Sequence, residues 1–204
     1  MRGFRIGTVS AIAGAALVVA VPAANADGPR DTPFSWTGLY VGAAVGAPWG
    51  SIDIGQPVNT TFPLRGSEGV LAAGYDFRLG PSLVAGVTVD FALAGPSIGL
   101  ATIDNQLAIG GRLGVLATPS VLLFASAGYT RADLNSDTLG ASLEGYFLGG
   151  GVEYLVMPNL SLKVDYRFSD HEAFEVDSGK GLASVEADFH SFRLGVNWRF
   201  GPLK

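Results

Sequence analysis

Apolar and polar residues alternate along most of this chain. The clearest run is Leu160-Ser161-Leu162-Lys163-Val164-Asp165-Tyr166-Arg167-Phe168-Ser169, and a second covers Phe192 to Phe200. Successive strand side chains point to opposite faces. One face therefore carries Leu160, Leu162, Val164, Tyr166 and Phe168, then Phe192, Leu194, Val196, Trp198 and Phe200. The other carries Ser161, Lys163, Asp165 and Arg167, then Arg193, Asn197 and Arg199. Six further runs show the same period: Leu39 to Ala47, Gly69 to Phe77, Leu83 to Leu93, Leu107 to Val115, Val121 to Thr130 and Tyr146 to Tyr154. Their connections alternate. Tight turns with Pro fall at Pro81, Pro119 and Pro158. Long polar stretches fall at Pro48 to Ser67, Ala94 to Asp104, Asp133 to Ala141 and His171 to Ala187. With no helical period, the pattern predicts one domain of eight antiparallel up-and-down strands.

Such a sheet closes in two ways. A soluble barrel hides its apolar face, and a membrane barrel turns that face to lipid. Four features favour lipid. Long loops on one rim and tight turns on the other are the membrane-barrel arrangement. Many residues on the polar face are Gly, which suits a crowded lumen better than a wetted surface. That face is also nearly balanced in charge, as a narrow lumen requires. Its acids are Asp76, Asp90, Glu153 and Asp165, and its bases are Arg112, Lys163, Arg167, Arg193 and Arg199. Glu153 and Lys163 are about equally far from the turn at Pro158, so they should face each other across strands.

Fourth, the apolar faces end in aromatic residues. Tyr146 and Tyr154, like Phe192 and Phe200, are separated by about 21 Å of membrane height at a 40° tilt. Two girdles follow. One holds Tyr75, Phe77, Tyr154, Trp198 and Phe200. The other holds Phe91, Tyr129, Tyr146, Tyr166, Phe168 and Phe192. The expected fold is all-β, an eight-stranded antiparallel up-and-down transmembrane β-barrel.

Composition sharpens this. The 204 residues are 48% hydrophobic but only 15% charged, against about 25% charged in globular proteins. No stretch past the N-terminus approaches the roughly 20 apolar residues of a spanning helix. There is no Cys, which excludes disulfides and thiolate metal sites. A formal charge of -5 without a basic patch argues against nucleic acid. Arg2 and Arg5, the apolar Ile6 to Val21 and the small residues Ala24-Asn25-Ala26 form a cleavable signal peptide. Residues 1–26 are read as that signal and residues 27–204 as the barrel domain.

Phe34-Ser35-Trp36-Thr37-Gly38-Leu39-Tyr40-Val41-Gly42 resembles the opening motif of the small alphaproteobacterial outer-membrane β-barrel family, the porin-like surface antigens. Leu162 to Tyr166 and His190 to Phe200 resemble that family's last two strands. The resemblance implies an eight-stranded barrel in the cell outer membrane, with an envelope-structural or surface role. Some members are similar to hemin-binding proteins. It also implies three partners: outer-membrane lipid, lipopolysaccharide and the barrel-insertion machinery that reads a terminal aromatic residue. Four residues follow Phe200, a departure from that ending.

Chemistry is sparse. His171 and His190 flank the last long loop, where they are either a surface ligand pair for heme iron or polar residues at a wet rim. The second reading carries more weight, because two His without a supporting cluster are weak ligand evidence. His190-Ser191 invites a hydrolase reading, but adjacent strand residues point to opposite faces and would not meet. No catalytic, cofactor or metal residue is assigned. The lumen of an eight-stranded barrel is just filled by side chains, and Tyr40, Phe124 and Phe147 also point inward, so the charges should plug it. The expected function is a structural and surface-interaction protein of the envelope, without catalysis. The alternative is a small porin or ligand-binding barrel, with hemin the candidate. Any surface ligand would sit on the loops.

Overall fold

The computed structural model describes residues 35–54, 60–94, 97–98, 101–136, 139–177 and 182–200. The segment expected to be a signal peptide lies outside them. In chain order the strands are β1 (Gly38–Ile54), β2 (Thr60–Arg65), β3 (Glu68–Leu79), β4 (Leu83–Ala94), β5 (Ser97–Ile98), β6 (Ala101–Thr118), β7 (Val121–Ser136), β8 (Leu139–Met157), β9 (Leu160–Asp177) and β10 (Leu182–Arg199). Eight of them, all but β2 and β5, form an antiparallel wall in the order β10-β9-β8-β7-β6-β4-β3-β1. The pairing of β1 with β10 closes it, with Ala43 opposite Val196 and Val45 opposite Leu194. Among the described residues closure leaves no edge strand, and this satisfies the backbone in a lipid environment. The short β2 and β5 continue the wall on the long-loop side, between β1 and β6.

Burial follows the alternation, with the polar face inside. Along β10, Phe192, Leu194, Val196 and Trp198 are exposed, while Ser191, Arg193, Asn197 and Arg199 are buried. The same inversion holds on the other walls: Val87, Leu113, Leu148 and Val164 face out, and Thr88, Arg112, Phe147 and Asp165 face in. The apolar outer surface is what hydrocarbon solvates and water does not.

The inner surface is fitted by size. The Phe147 ring lies over Gly110 and Gly128, where an added Cβ would come within 2.6 and 2.7 Å of it. The Tyr40 side chain covers Gly74 in the same way. A small apolar cluster of Trp36, Val84 and Leu122, flanked by Leu116, Phe124 and Leu155, closes the tight-turn end. The indole N–H of Trp36 donates to the Pro119 carbonyl at 3.0 Å. The Trp36-Thr37-Gly38 motif thus begins as a stopper before it becomes a strand.

The strands run further than the alternation indicated. The β7–β8 ladder continues to Ser136 opposite Leu139, and the β9–β10 ladder to Asp177 opposite Leu182. Beyond the hydrocarbon a strand need not present an apolar face, so the period fades while the backbone ladder goes on. The stretch Pro48 to Ser67, expected to be a loop, is largely a hairpin of β1 and β2. Pro48 is tolerated because β1 changes neighbour there: its pairing with β3 ends at Gly46, and its pairing with β2 starts at Trp49. A missing N–H costs least where the ladder is already interrupted.

Candidate functional site

The barrel interior gathers the charged residues into two clusters and one small pair. The first cluster lies toward the tight turns. Arg112 on β6 makes two hydrogen bonds to Asp76 on β3, one of them from Nε at 2.7 Å, and one from Nη1 to Glu153 on β8 at 2.8 Å. Arg199 on β10 donates to Asp76 Oδ2 from both Nη atoms at 2.8 Å, and to Glu153 Oε1 at 2.9 Å. Ser161 and Asn197 complete the Glu153 shell at 2.6 and 3.1 Å. The two guanidinium groups also stack over aromatic rings: Arg112 lies 4.6 Å from the Tyr40 centroid, and Arg199 4.6 Å from that of Trp36. Two carboxylates and two guanidinium groups therefore share one buried compartment, and each charge is matched by hydrogen bonds as well as by sign.

The second cluster lies toward the long loops. Arg167 on β9 is ion-paired with Asp90 on β4 and sits 4.0 Å above the Phe147 ring. Arg193 on β10 donates from Nε to Glu68 on β3 at 2.8 Å and lies 3.6 Å from Asp90. Ser191 donates to the same Glu68 carboxylate, and Thr88 to Asp90 at 3.2 Å. Between the clusters, Lys163 meets Asp165 on its own strand at 3.2 Å.

The nine charges that the sequence assigned to the lumen all lie on the inner face. Two points go beyond expectation. Glu153 and Lys163 face each other across the ladder as expected, but they do not pair. Glu153 reaches across the lumen to Arg112 and Arg199, and Lys163 turns to Asp165. Strand register gives neighbours along a wall, whereas a narrow barrel also brings opposite walls together. Glu68 is the charge the sequence reading missed. It shares the parity of Asp76 on β3 and is buried, but it sits where that reading placed the end of a loop. With it, the described lumen holds five acids and five bases: Glu68, Asp76, Asp90, Glu153 and Asp165 against Arg112, Lys163, Arg167, Arg193 and Arg199.

The aromatic residues lie on the outer face near the strand ends. Phe77, Tyr154, Trp198 and Phe200 are exposed toward the tight turns, and Tyr75 packs on Phe77 with centroids 4.7 Å apart. Tyr129, Tyr146 and Phe192 are exposed toward the loops, with Phe91, Tyr166 and Phe168 partly covered. Trp49 joins this second level, 5.5 Å from the Phe192 ring and 5.6 Å from His190. Of the three tryptophans, Trp36 is 1% exposed, while Trp49 and Trp198 face outward. Brominated lipid should therefore quench Trp49 and Trp198 and spare Trp36, as read from single-tryptophan variants in vesicles.

The two histidines are not a ligand pair. His171 is buried on the inner face, 5.2 Å from the Phe189 ring. His190 is on the outer face, within 2.6 Å of the Tyr166 hydroxyl. They sit on adjacent strands but on opposite sides of the wall. The same parity separates His190 from Ser191, whose hydroxyl is committed to Glu68.

A closed antiparallel barrel with an apolar exterior and a neutralised ionic interior is a membrane-spanning β-barrel protein. Its relatives place it more narrowly: the chain belongs to the outer membrane protein beta-barrel domain family, which it matches over residues 11–200. It is 30% identical to a 22 kDa outer membrane protein of Rhizobium leguminosarum bv. viciae, covering 81% of this chain and 79% of that one. It is 28% identical to a 31 kDa outer-membrane immunogenic protein of Brucella melitensis, covering 90% and 91%. In fold it is similar to the crystal structure of Neisserial surface protein A, with a TM-score of 0.54, 19% identity, and 80% and 98% of the two chains covered. The protein is an outer-membrane barrel with an envelope or surface role.

Proposed function

We propose that this barrel is a sealed one. It serves as a structural and surface-presenting element of the outer membrane, without catalysis, and it holds no open pore. One observation carries this reading: the lumen is occupied by two neutralised ion clusters seated on Tyr40, Phe147 and Trp36. Water and ions would have to displace the ion pairs and hydrogen bonds that cross it from wall to wall. A small eight-stranded barrel has no spare interior for a second path. Purified monomer in a planar bilayer should give little steady conductance, and a large steady current would overturn the reading.

The long loops face outward from the cell, as in barrels of this kind, and present the surface. The partners in this reading are the lipid and lipopolysaccharide around the wall and the machinery that inserts the barrel. The two aromatic levels on the outer face, with Trp198 and Phe200 in the tight-turn one, support it. Export by a cleaved signal over residues 1–26 belongs to the same proposal. The protein recovered from outer membranes should begin near Asp27, which N-terminal sequencing reads directly.

A further inference from the structure

The two ion clusters share one feature of topology. Each draws one of its two guanidinium groups from β10, Arg199 in the first and Arg193 in the second. Remove β10 and count. The first cluster keeps Asp76 and Glu153 against Arg112, and the second keeps Glu68 and Asp90 against Arg167. Each is then one positive charge short, and Lys163 with Asp165 changes nothing. Only the closing strand brings both to neutrality.

The geometry of the seam makes this selective. β10 pairs with β1, but its arginines reach past β1 to Asp76 and Glu68 on β3. Arg193 can do so because Gly46 is all that separates it from Glu68 along the rung, and Arg199 crosses β1 between Gly38 and Tyr40, with its guanidinium over the Tyr40 ring. An added Cβ at Gly46 would lie 2.5 Å from the Glu68 carboxylate and 3.0 Å from the Ser191 hydroxyl. The smallest register slip that keeps the apolar face outward is two residues. Such a slip moves every β10 side chain about 7 Å along the wall and takes both arginines away from their carboxylates together. The apolar faces alone discriminate poorly, since Leu194, Val196 and Trp198 are all lipid-compatible.

We propose that the register of barrel closure is set by these two arginines. They act as paired charge keys that let β10 dock on β1 in a single alignment. This goes beyond the sealing role, because it concerns how the wall is joined rather than what the lumen passes.

The absence of native cysteine makes the test direct. Ala43→Cys with Val196→Cys reports the native alignment, and Ala43→Cys with Leu194→Cys or Trp198→Cys reports a slip of two in either direction. In the unsubstituted background the native pair should dominate the cross-linked product. In a background of Arg193→Met and Arg199→Met with Glu68→Gln and Glu153→Gln, each cluster is neutral again but β10 has lost its keys. There the slipped pairs should rise to a comparable share. An unchanged preference for the native pair would overturn the proposal. A second measurement covers poor folding. Arg199→Met with Glu153→Gln, matched at one level, should refold at least about tenfold better than Arg199→Met with Glu68→Gln, mismatched between levels. Equal folded fractions for these two, including none in either, would also overturn it.

Discussion

Arg112→Leu should destabilise the barrel by about 3–5 kcal/mol, the usual cost of stripping one partner from a buried ion pair. Its guanidinium meets both Asp76 and Glu153. Without it, two carboxylates at 0% exposure share Arg199 alone. Neither can be rehydrated without opening the wall. Leu is three heavy atoms smaller than Arg, so part of the loss is a cavity, and the double variant below isolates the charge component. The double variant Asp76→Leu with Arg112→Leu leaves Glu153 matched by Arg199, and it should cost much less than the sum of its single changes. Folding titrations in lipid vesicles, read by heat-modifiable gel mobility, measure both. If Arg112→Leu titrates like the parent protein, the cluster is not holding the wall.

Leu194→Arg should cost about 2–4 kcal/mol, the depth-dependent penalty for a cation on the lipid face near the midplane. Leu194 is 57% exposed on the outer face and is flanked by Val164 and Val45. The same change at Thr61, an exposed position on β2, should fall within a few tenths of a kcal/mol of neutral. Each substitution introduces the same guanidinium, into lipid at one position and into water at the other, where it replaces the Thr61 hydroxyl's bond to Asp53 with a charge beside that carboxylate. Equal effects at both positions would show that the outer face does not lie in lipid.

Much of this architecture is legible in the sequence because the bilayer imposes a period. Where a strand crosses hydrocarbon, an inward Arg193 must alternate with an outward Leu194, and both register and face follow. The lumen charges were legible for the same reason, since position parity alone puts Asp76, Arg112 and Arg199 inside. The sequence could not give contacts across the lumen. Glu153 is nearest to Lys163 along the ladder, yet its hydrogen bonds go to Arg112 and Arg199 from other walls. Glu68 escaped because it lies just past the stretch where polar residues and Pro48 mimic a loop. Trp36 was visible as part of a motif, but its role as a stopper required the fold, which brings Pro119, Leu122 and Arg199 to it.

The neutrality of the interior leaves the charge excess of the chain elsewhere. The described residues of 50–67, 95–105, 131–145 and 170–188, past the loop-side aromatic level, hold ten acids against Arg65 and Arg131, a net of -8. The protein is therefore electrically one-sided: a wall without net charge that carries an anionic crown. At physiological ionic strength that crown acts over about 8 Å. Within that distance it enriches small cations, slows anionic molecules and concentrates basic ones. In the sealed, loops-outward reading proposed above, the barrel sorts what reaches the surface of the cell without letting anything through.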